Sequence, residues 1–199
     1  MNAVSFLPYD NAYFTDDLET YQQDLDKAKE YLAQVENVPT LRIGYPAGST
    51  DNETVALVIQ QELKAIGIDL ELVATDSAAY YDKLDAGNDD FDLFLNGYIM
   101  GNDPSSYASL YTSTAAYNYP KLQDEELDGY FAAGSVEQDA EARKEIYNNA
   151  QRRLADLAVQ FNLATNLRLL AVTNDVGGTD EARFIQIYTF SNYDQLYFK

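Results

Sequence analysis

Cysteine, histidine and tryptophan are all absent from the 199 residues. Without cysteine there is no disulfide and no thiolate metal site. Without histidine there is no Ser-His or Cys-His catalytic pair and no imidazole ligand. No metal and no cofactor is therefore expected, and any catalysis would fall to Asp and Glu alone. Positive charge is scarce as well: 13 Lys and Arg stand against 33 Asp and Glu, a net charge of −20. Phosphate recognition needs clustered basic residues, so nucleic acid is excluded as a partner. An anionic membrane surface is excluded on the same ground. No run approaches the ~18–20 apolar residues of a membrane span. Met1–Pro8 carries neither the basic nor the long apolar stretch of a secretory signal.

A hydrophobic content of 46% is enough for a buried core. The 17 tyrosines each offer an apolar face and a polar tip, suited to binding surfaces, although most are expected to be half-buried structural residues. The neighbouring carboxylates Asp89-Asp90 and Glu125-Glu126 lack the separation across a cleft that glycoside hydrolysis requires, and no Ca²⁺-loop spacing is present. Solvated loops and helix starts account for them.

Residues 1–23 show no periodicity and read as an arm. Asp24–Val35 reads as a helix with Leu25, Ala28, Tyr31, Leu32 and Val35 on one face. Leu41–Tyr45 is a short strand. Thr50 and Glu53 fit a capping box opening a helix with Val55, Ile59, Leu63 and Ile66 as its stripe. Gly67 fits the left-handed residue that ends it. Asp69–Ala74 alternates as a strand. Ser77 is placed to cap a helix over 78–85 that stops at Gly87, and Phe91–Asn96 is a third strand. Helices between short strands predict a β-α-β-α-β unit with right-handed crossovers and a mainly parallel sheet. Beyond it, helices are predicted over Glu125–Ala133 and Ala140–Ala158, the latter capped by Asp139 and burying Ile146, Tyr147, Ala150, Leu154, Leu157 and Ala158. Val159–Ala164, Arg168–Thr173 and Ile185–Phe190 read as strands. The aromatic tail and the first 23 residues are expected to pack on a body that this chain does not contain, since such segments need something to bury against. The alternative is that they wrap the domain itself.

The most informative stretch is Phe91–Pro104. An apolar strand stops at Asn96-Gly97-Tyr98 and opens into a polar loop closed by Asn102-Asp103-Pro104. In open α/β sheets, ligands sit beyond the carboxyl ends of the strands. Asn96–Asp103 is therefore the first place to look for a site.

Several motifs fall in a familiar order: Asp26-Lys-Ala-Lys-Glu-Tyr-Leu32, Leu41–Gly48, Leu63-Lys-Ala-Ile-Gly-Ile-Asp-Leu-Glu-Leu72, Tyr80–Leu84, Phe91–Phe94, the Gly97-Tyr98…Asp103-Pro104 loop, Arg143–Leu154 and Leu167–Val172. Each is weak alone. Together they resemble the C-terminal lobe of extracellular solute-binding proteins of the oligopeptide and dipeptide class (family 5), which serve ABC importers. The resemblance covers roughly residues 20–175 well and the tail loosely.

It implies an α/β, type II periplasmic-binding-protein-like lobe with a mainly parallel sheet flanked by helices. Residues 1–37 would be an arm and helix leading in, 38–173 the ligand-binding lobe, and 174–199 a tail returning to an N-terminal lobe outside this chain. The signal sequence and lipid-anchored cysteine would also lie outside it, the full-length protein being periplasmic or a cell-surface lipoprotein. The implied function is capture of a peptide or other small solute in a two-lobe cleft, delivery to a membrane permease, no enzymatic activity, and a monomeric state. The implied ligand-binding residues are Tyr45, Asn96, Gly97, Tyr98, Ile99, Met100 and Asn102. Gly97 lets the backbone approach a ligand, Tyr98 stands where the family usually has Trp, and Met100 is an adaptable apolar contact. Tyr98 and Ile99 capping the sheet end, Tyr45 packing a turn and Asp103 fixing a turn are the structural alternatives. Asn118 and Tyr119 form a weaker candidate. Many relatives carry an Asp soon after the Gly-Trp pair, where Ile99–Asn102 has none, which puts an ammonium contact from this loop in doubt. The competing reading is an acidic extracellular interaction or peptide-sensing module without a transport role.

Overall fold

The central structural unit follows from two sequence periods, alternation in the strands and amphipathic spacing in the helices. The computed structural model describes residues 4–87, 89–165, 169–184 and 189–199. Its first elements are α1 (Leu25–Leu32), β1 (Leu41–Pro46), α2 (Thr50–Ala65), β2 (Leu70–Thr75), α3 (Ser77–Asp85) and β3 (Leu93–Phe94). The three strands form one parallel sheet in the order β2-β1-β3. Ile43 and Tyr45 face α2 and pack with Ala56, Leu70 and Leu95. Gly44 faces the other way, where Tyr80 and Leu84 of α3 pack with Phe91. The predicted β-α-β-α-β unit is present.

Helix ends obey local chemistry, with two shifts of one residue. Ser49, not Thr50, caps α2 by accepting a hydrogen bond from the Asn52 backbone N–H, and Asp76, not Ser77, caps α3. Gly67 has φ +91°; the Gly67 N–H donates to the Lys64 carbonyl and the Ile68 N–H to the Leu63 carbonyl, a Schellman ending. The apolar face read in α1 is not buried: none of its residues is. Nothing among the described residues packs over it deeply enough.

The larger core lies after the sheet. A 3₁₀ turn (Pro104–Tyr107) leads into α4 (Ala108–Tyr111), followed by α5 (Glu125–Val136) and α6 (Ala140–Asp156), capped by Asp139 as predicted. Tyr107, Tyr111, Leu127, Phe131, Tyr147 and Leu154 are buried together. Phe6 and Leu7 of the arm join them, the Phe6 ring lying 4.9 Å from Tyr107 and 5.2 Å from Tyr111. The expectation that the arm packs on a body outside this chain is thus corrected: two large apolar side chains find their burial here.

The last described elements are β4 (Val176–Gly177), α7 (Thr179–Ala182) and β5 (Tyr197–Phe198), with β4 and β5 antiparallel. Residues 159–164 and 169–173, read as strands, form none. They are apolar, but no described strand offers them a ladder of donors and acceptors. Of the predicted strand Ile185–Phe190, residues 185–188 lie outside the described residues, as does Arg168; Phe190 makes an isolated antiparallel bridge to Phe184.

Candidate functional site

Immediately after β3, the Leu95 carbonyl is held by the helix beside it. The Tyr80 hydroxyl, on α3 and fully buried, donates to the Leu95 carbonyl at 2.7 Å. Desolvation raises that phenol well above its ordinary pKa, so it stays a donor. From this fixed point the chain leaves the sheet and residues 97–99 run exposed. Asn96 shapes the exit: its side-chain oxygen accepts from the Gly97 N–H at 2.8 Å, and its Nδ2 donates to the Tyr98 hydroxyl at 2.9 Å.

Tyr98 is 42% exposed, yet desolvation, with Tyr81, Asp85 and Tyr117 nearby, pushes its phenol up to about 12. It belongs to a group of tyrosines from three segments. Tyr81 stands on α3, its ring 5.3 Å from that of Tyr80. Tyr117 and Tyr119 come from the segment before α5, with rings 6.2 Å apart and edge-on. The Tyr119 hydroxyl donates to Asp85 Oδ1 at 2.7 Å, and its ring meets Phe94 of β3 edge-on at 6.2 Å. Tyr119 thus ties the end of α3 to β3, the strand from which the loop departs.

The far end of the loop is anchored on the opposite side. Met100 packs against the helical core. The Asn102 carbonyl accepts from Asn11 Nδ2 of the arm at 2.9 Å. Asp103 accepts from the Ser105 N–H at 2.9 Å, capping the 3₁₀ turn, and from Arg143 Nη2 of α6. The hydrogen bond from Arg143 holds the Asp103 carboxyl down at about 2. Asp103 fixes the turn, as one of its two readings expected.

The predicted residues are therefore distributed unevenly. Gly97, Tyr98 and Ile99 share the exposed outer part of the loop, with Asn96 shaping its base and Asn102 at its other end. Tyr45 is not brought to them as a surface group: it is 6% exposed and packs between the sheet and α2. Tyr81, Asp85 and Tyr117 were missed. The i, i+4 spacing of Tyr81 and Asp85 on one helix face was the signal available for two of them. Among the described residues, no group of three or more acidic side chains could hold a metal ion, and no helix is long and apolar enough to cross a membrane.

Comparison with known proteins places this geometry. The crystal structure of the ABC transporter substrate binding protein CtaP from Listeria monocytogenes superposes with a TM-score of 0.89 at 38% identity, over 100% of this chain and 41% of that one. The oligopeptide-binding protein AppA from Bacillus subtilis, solved in complex with a nonapeptide, gives a TM-score of 0.76 at 16% identity, over 100% of this chain and 42% of that one; this likeness shows the fold alone. The periplasmic murein peptide-binding protein MppA of Escherichia coli (strain K12) is 28% identical over 112 residues, which are 55% of this chain and 20% of that protein. The chain thus spans well under half the length of these relatives. It has the type II periplasmic-binding-protein-like fold, and its homologues are solute-binding proteins whose family is periplasmic or extracellular. Residues 2–119 match the family model described as bacterial extracellular solute-binding proteins, family 5 Middle, and the chain belongs to that family.

Proposed function

We propose that this chain is a ligand-binding lobe of a non-enzymatic solute receptor that captures peptides between two lobes and hands them to the permease of an ABC importer. One observation carries the reading. The loop 97–102 leaves Gly97, Tyr98 and Ile99 exposed beyond the carboxyl end of a parallel sheet and is held at both ends, with Tyr81 and Tyr117 in electrostatic range of Tyr98. Exposed backbone at Gly97 suits main-chain hydrogen bonds to an extended peptide, and tyrosine faces suit its side chains. The names of MppA and AppA support peptides as the solute.

Gly97, Tyr98 and Ile99 are assigned direct ligand contact, with Asn96, Met100 and Asn102 shaping the loop. Tyr45 enters the proposal as a packing residue between β1 and α2. Apolar side chains left in water, Tyr193, Tyr197 and above all Phe198 at 87% exposure, favour a tail that returns to a lobe outside this chain.

The test uses the full-length protein, with calorimetric titration of a synthetic tripeptide pool. Tyr98→Ala is expected to weaken binding roughly 10-fold or more, as loss of a central aromatic contact does. Unchanged affinity in that variant removes the loop from the site. The isolated chain is expected to bind the same pool far more weakly, because half a cleft must meet the whole cost of association.

A further inference from the structure

We infer that Asn96-Gly97 is a self-modifying site: the Gly97 backbone nitrogen closes on the Asn96 side chain and, with water, converts Asn96 to aspartate or isoaspartate at the base of the exposed loop. The chemistry stands on the geometry of these two residues. Its consequence for ligand capture rests on the peptide-binding reading above.

Ring closure needs a backbone nitrogen within reach of the preceding side-chain amide, no obstructing side chain on the following residue, and backbone that no helix or sheet ladder holds. Asn96-Gly97 is the one Asn-Gly pair in the sequence. The Gly97 N–H donates to Asn96 Oδ1 at 2.8 Å, so the attacking nitrogen already lies against the amide whose carbon it must reach. Asn96 Nδ2 donates to the Tyr98 hydroxyl at 2.9 Å, which fixes the amide with its oxygen toward Gly97. A Cβ at Gly97 would meet nothing within 4 Å, so the ring has room to form. Both residues lie past β3, which ends at Phe94, and Gly97 is exposed to water. The Asp-Gly pair of the chain makes the contrast. Asp128-Gly129 lies inside α5, where helical hydrogen bonding holds the backbone, and Asp128 accepts from the Ser113 N–H at 2.7 Å.

Gly97 N gives its proton to solvent and bonds to Asn96 Cγ. The Cγ–Nδ2 bond breaks, and the nitrogen takes up a proton and leaves as ammonia. The Tyr98 phenol, pushed up to about 12 and so protonated, stands at the departing nitrogen to hydrogen-bond it. A water molecule then opens the cyclic imide. Opening at Cγ gives aspartate, and opening at the Asn96 main-chain carbonyl carbon gives isoaspartate. Either product carries a carboxylate, which has no N–H to donate to Tyr98. Isoaspartate also adds a methylene to the main chain and so shifts Gly97, Tyr98 and Ile99.

The experiment incubates folded full-length protein at mildly alkaline pH and follows the tryptic peptide ending at Lys121 by mass spectrometry, with electron-transfer fragmentation to tell isoaspartate from aspartate. Conversion at Asn96 is expected to be at least roughly 10-fold faster than at Asn102 or Asn118 of the same peptide, which precede Asp103 and Tyr119. It should run no slower in the folded protein than in guanidinium-unfolded protein. Gly97→Ala, which fits the open space, should slow it roughly 10-fold and leave the unfolding temperature in place. Conversion that waits for unfolding, or that Gly97→Ala leaves unchanged, overturns the assignment. The converted fraction, separated by anion exchange through its added charge, is then titrated with the synthetic tripeptide pool. Weaker binding than by the fresh fraction is expected. Equal binding overturns the consequence for capture and leaves the modification standing, whereas no binding by the fresh fraction overturns the peptide-binding reading alone.

Discussion

Asp103 and Arg143 join the end of the binding loop to α6: Arg143 Nη2 donates to Asp103 Oδ1 at 2.8 Å and to Oδ2 at 3.0 Å. Arg143 also donates to the Tyr13 hydroxyl and to the Gly134 carbonyl, both at 2.7 Å, so one guanidinium gathers the loop, the arm and α5. Asp103 in the folded protein titrates at about 2, below its ordinary value near 4. A depressed carboxylate stabilises the fold above the unfolded pKa and loses that contribution as pH falls toward the folded one. The Asp103 side chain is 53% exposed, so solvent screening reduces the contribution to about 1 kcal/mol. Asp103→Asn should therefore cost about that much at pH 7 in urea unfolding, with the gap to wild type closing between about pH 4 and pH 2. A gap that does not change with pH would assign the loss to packing instead.

The Tyr80 hydroxyl is the second fixed point of the loop. Tyr80→Phe keeps the ring against Phe91, 5.5 Å away, and removes the donor to the Leu95 carbonyl at 2.7 Å together with its longer contact to the Gly44 carbonyl at 3.4 Å. A buried acceptor left without its donor costs about 1–3 kcal/mol. Unfolding should show a loss in that range, and amide exchange at Asn96 and Gly97 should quicken. Wild-type stability would mean that the Leu95 carbonyl is satisfied from elsewhere.

The sheet and the packed faces of α2 and α6 were legible because their causes are local. Alternation in β2, the stripe of α2 and the Schellman glycine at Gly67 are each written within a few residues. The caps were read one residue late at Ser49 and Asp76, since several neighbouring polar side chains qualify in each place. What depends on distant partners was not legible. Tyr119 meets Asp85 across 34 positions, and Ser5 meets Gln151 across 146. Tyr45 looked like a cleft residue because it ends a strand, but which face of β1 meets α2 is decided by the crossover. Residues 159–164 have the composition of a strand, yet a strand exists only where another supplies its hydrogen bonds.

Gly44 is required for a reason the sequence does not show. A Cβ there would lie 2.5 Å from the Phe91 ring. Gly44→Ala must displace that ring or move β1 from β3, and overpacking of this kind costs about 1–3 kcal/mol. Phe91→Leu, which shortens the obstructing group, should recover part of the loss in the double variant even though it destabilises alone. Simple additivity of the two losses in chemical denaturation would show that the contact is not what constrains Gly44.

Gln151 decides whether the arm belongs to this domain. It is 2% exposed and makes contacts that no apolar side chain can replace. Its Oε1 accepts from the Ser5 hydroxyl at 2.7 Å and from the Thr15 N–H at 3.3 Å, and its Nε2 donates to the carbonyls of Tyr13 at 2.8 Å and Tyr147 at 3.1 Å. Gln151→Leu preserves volume and strands these groups, at a cost of about 2–4 kcal/mol. The loss should be uneven. Amides of the arm should lose exchange protection, while those of β1 and β2, which belong to a separate packing cluster, should keep theirs. Because Asn11 and Tyr13 of the arm hold Asn102 and Arg143, a loosened arm should also weaken ligand binding without any contact to the ligand being removed. If the arm stays protected in Gln151→Leu, burial of Phe6 and Leu7 is sufficient to hold it. The polar network then sets only its register.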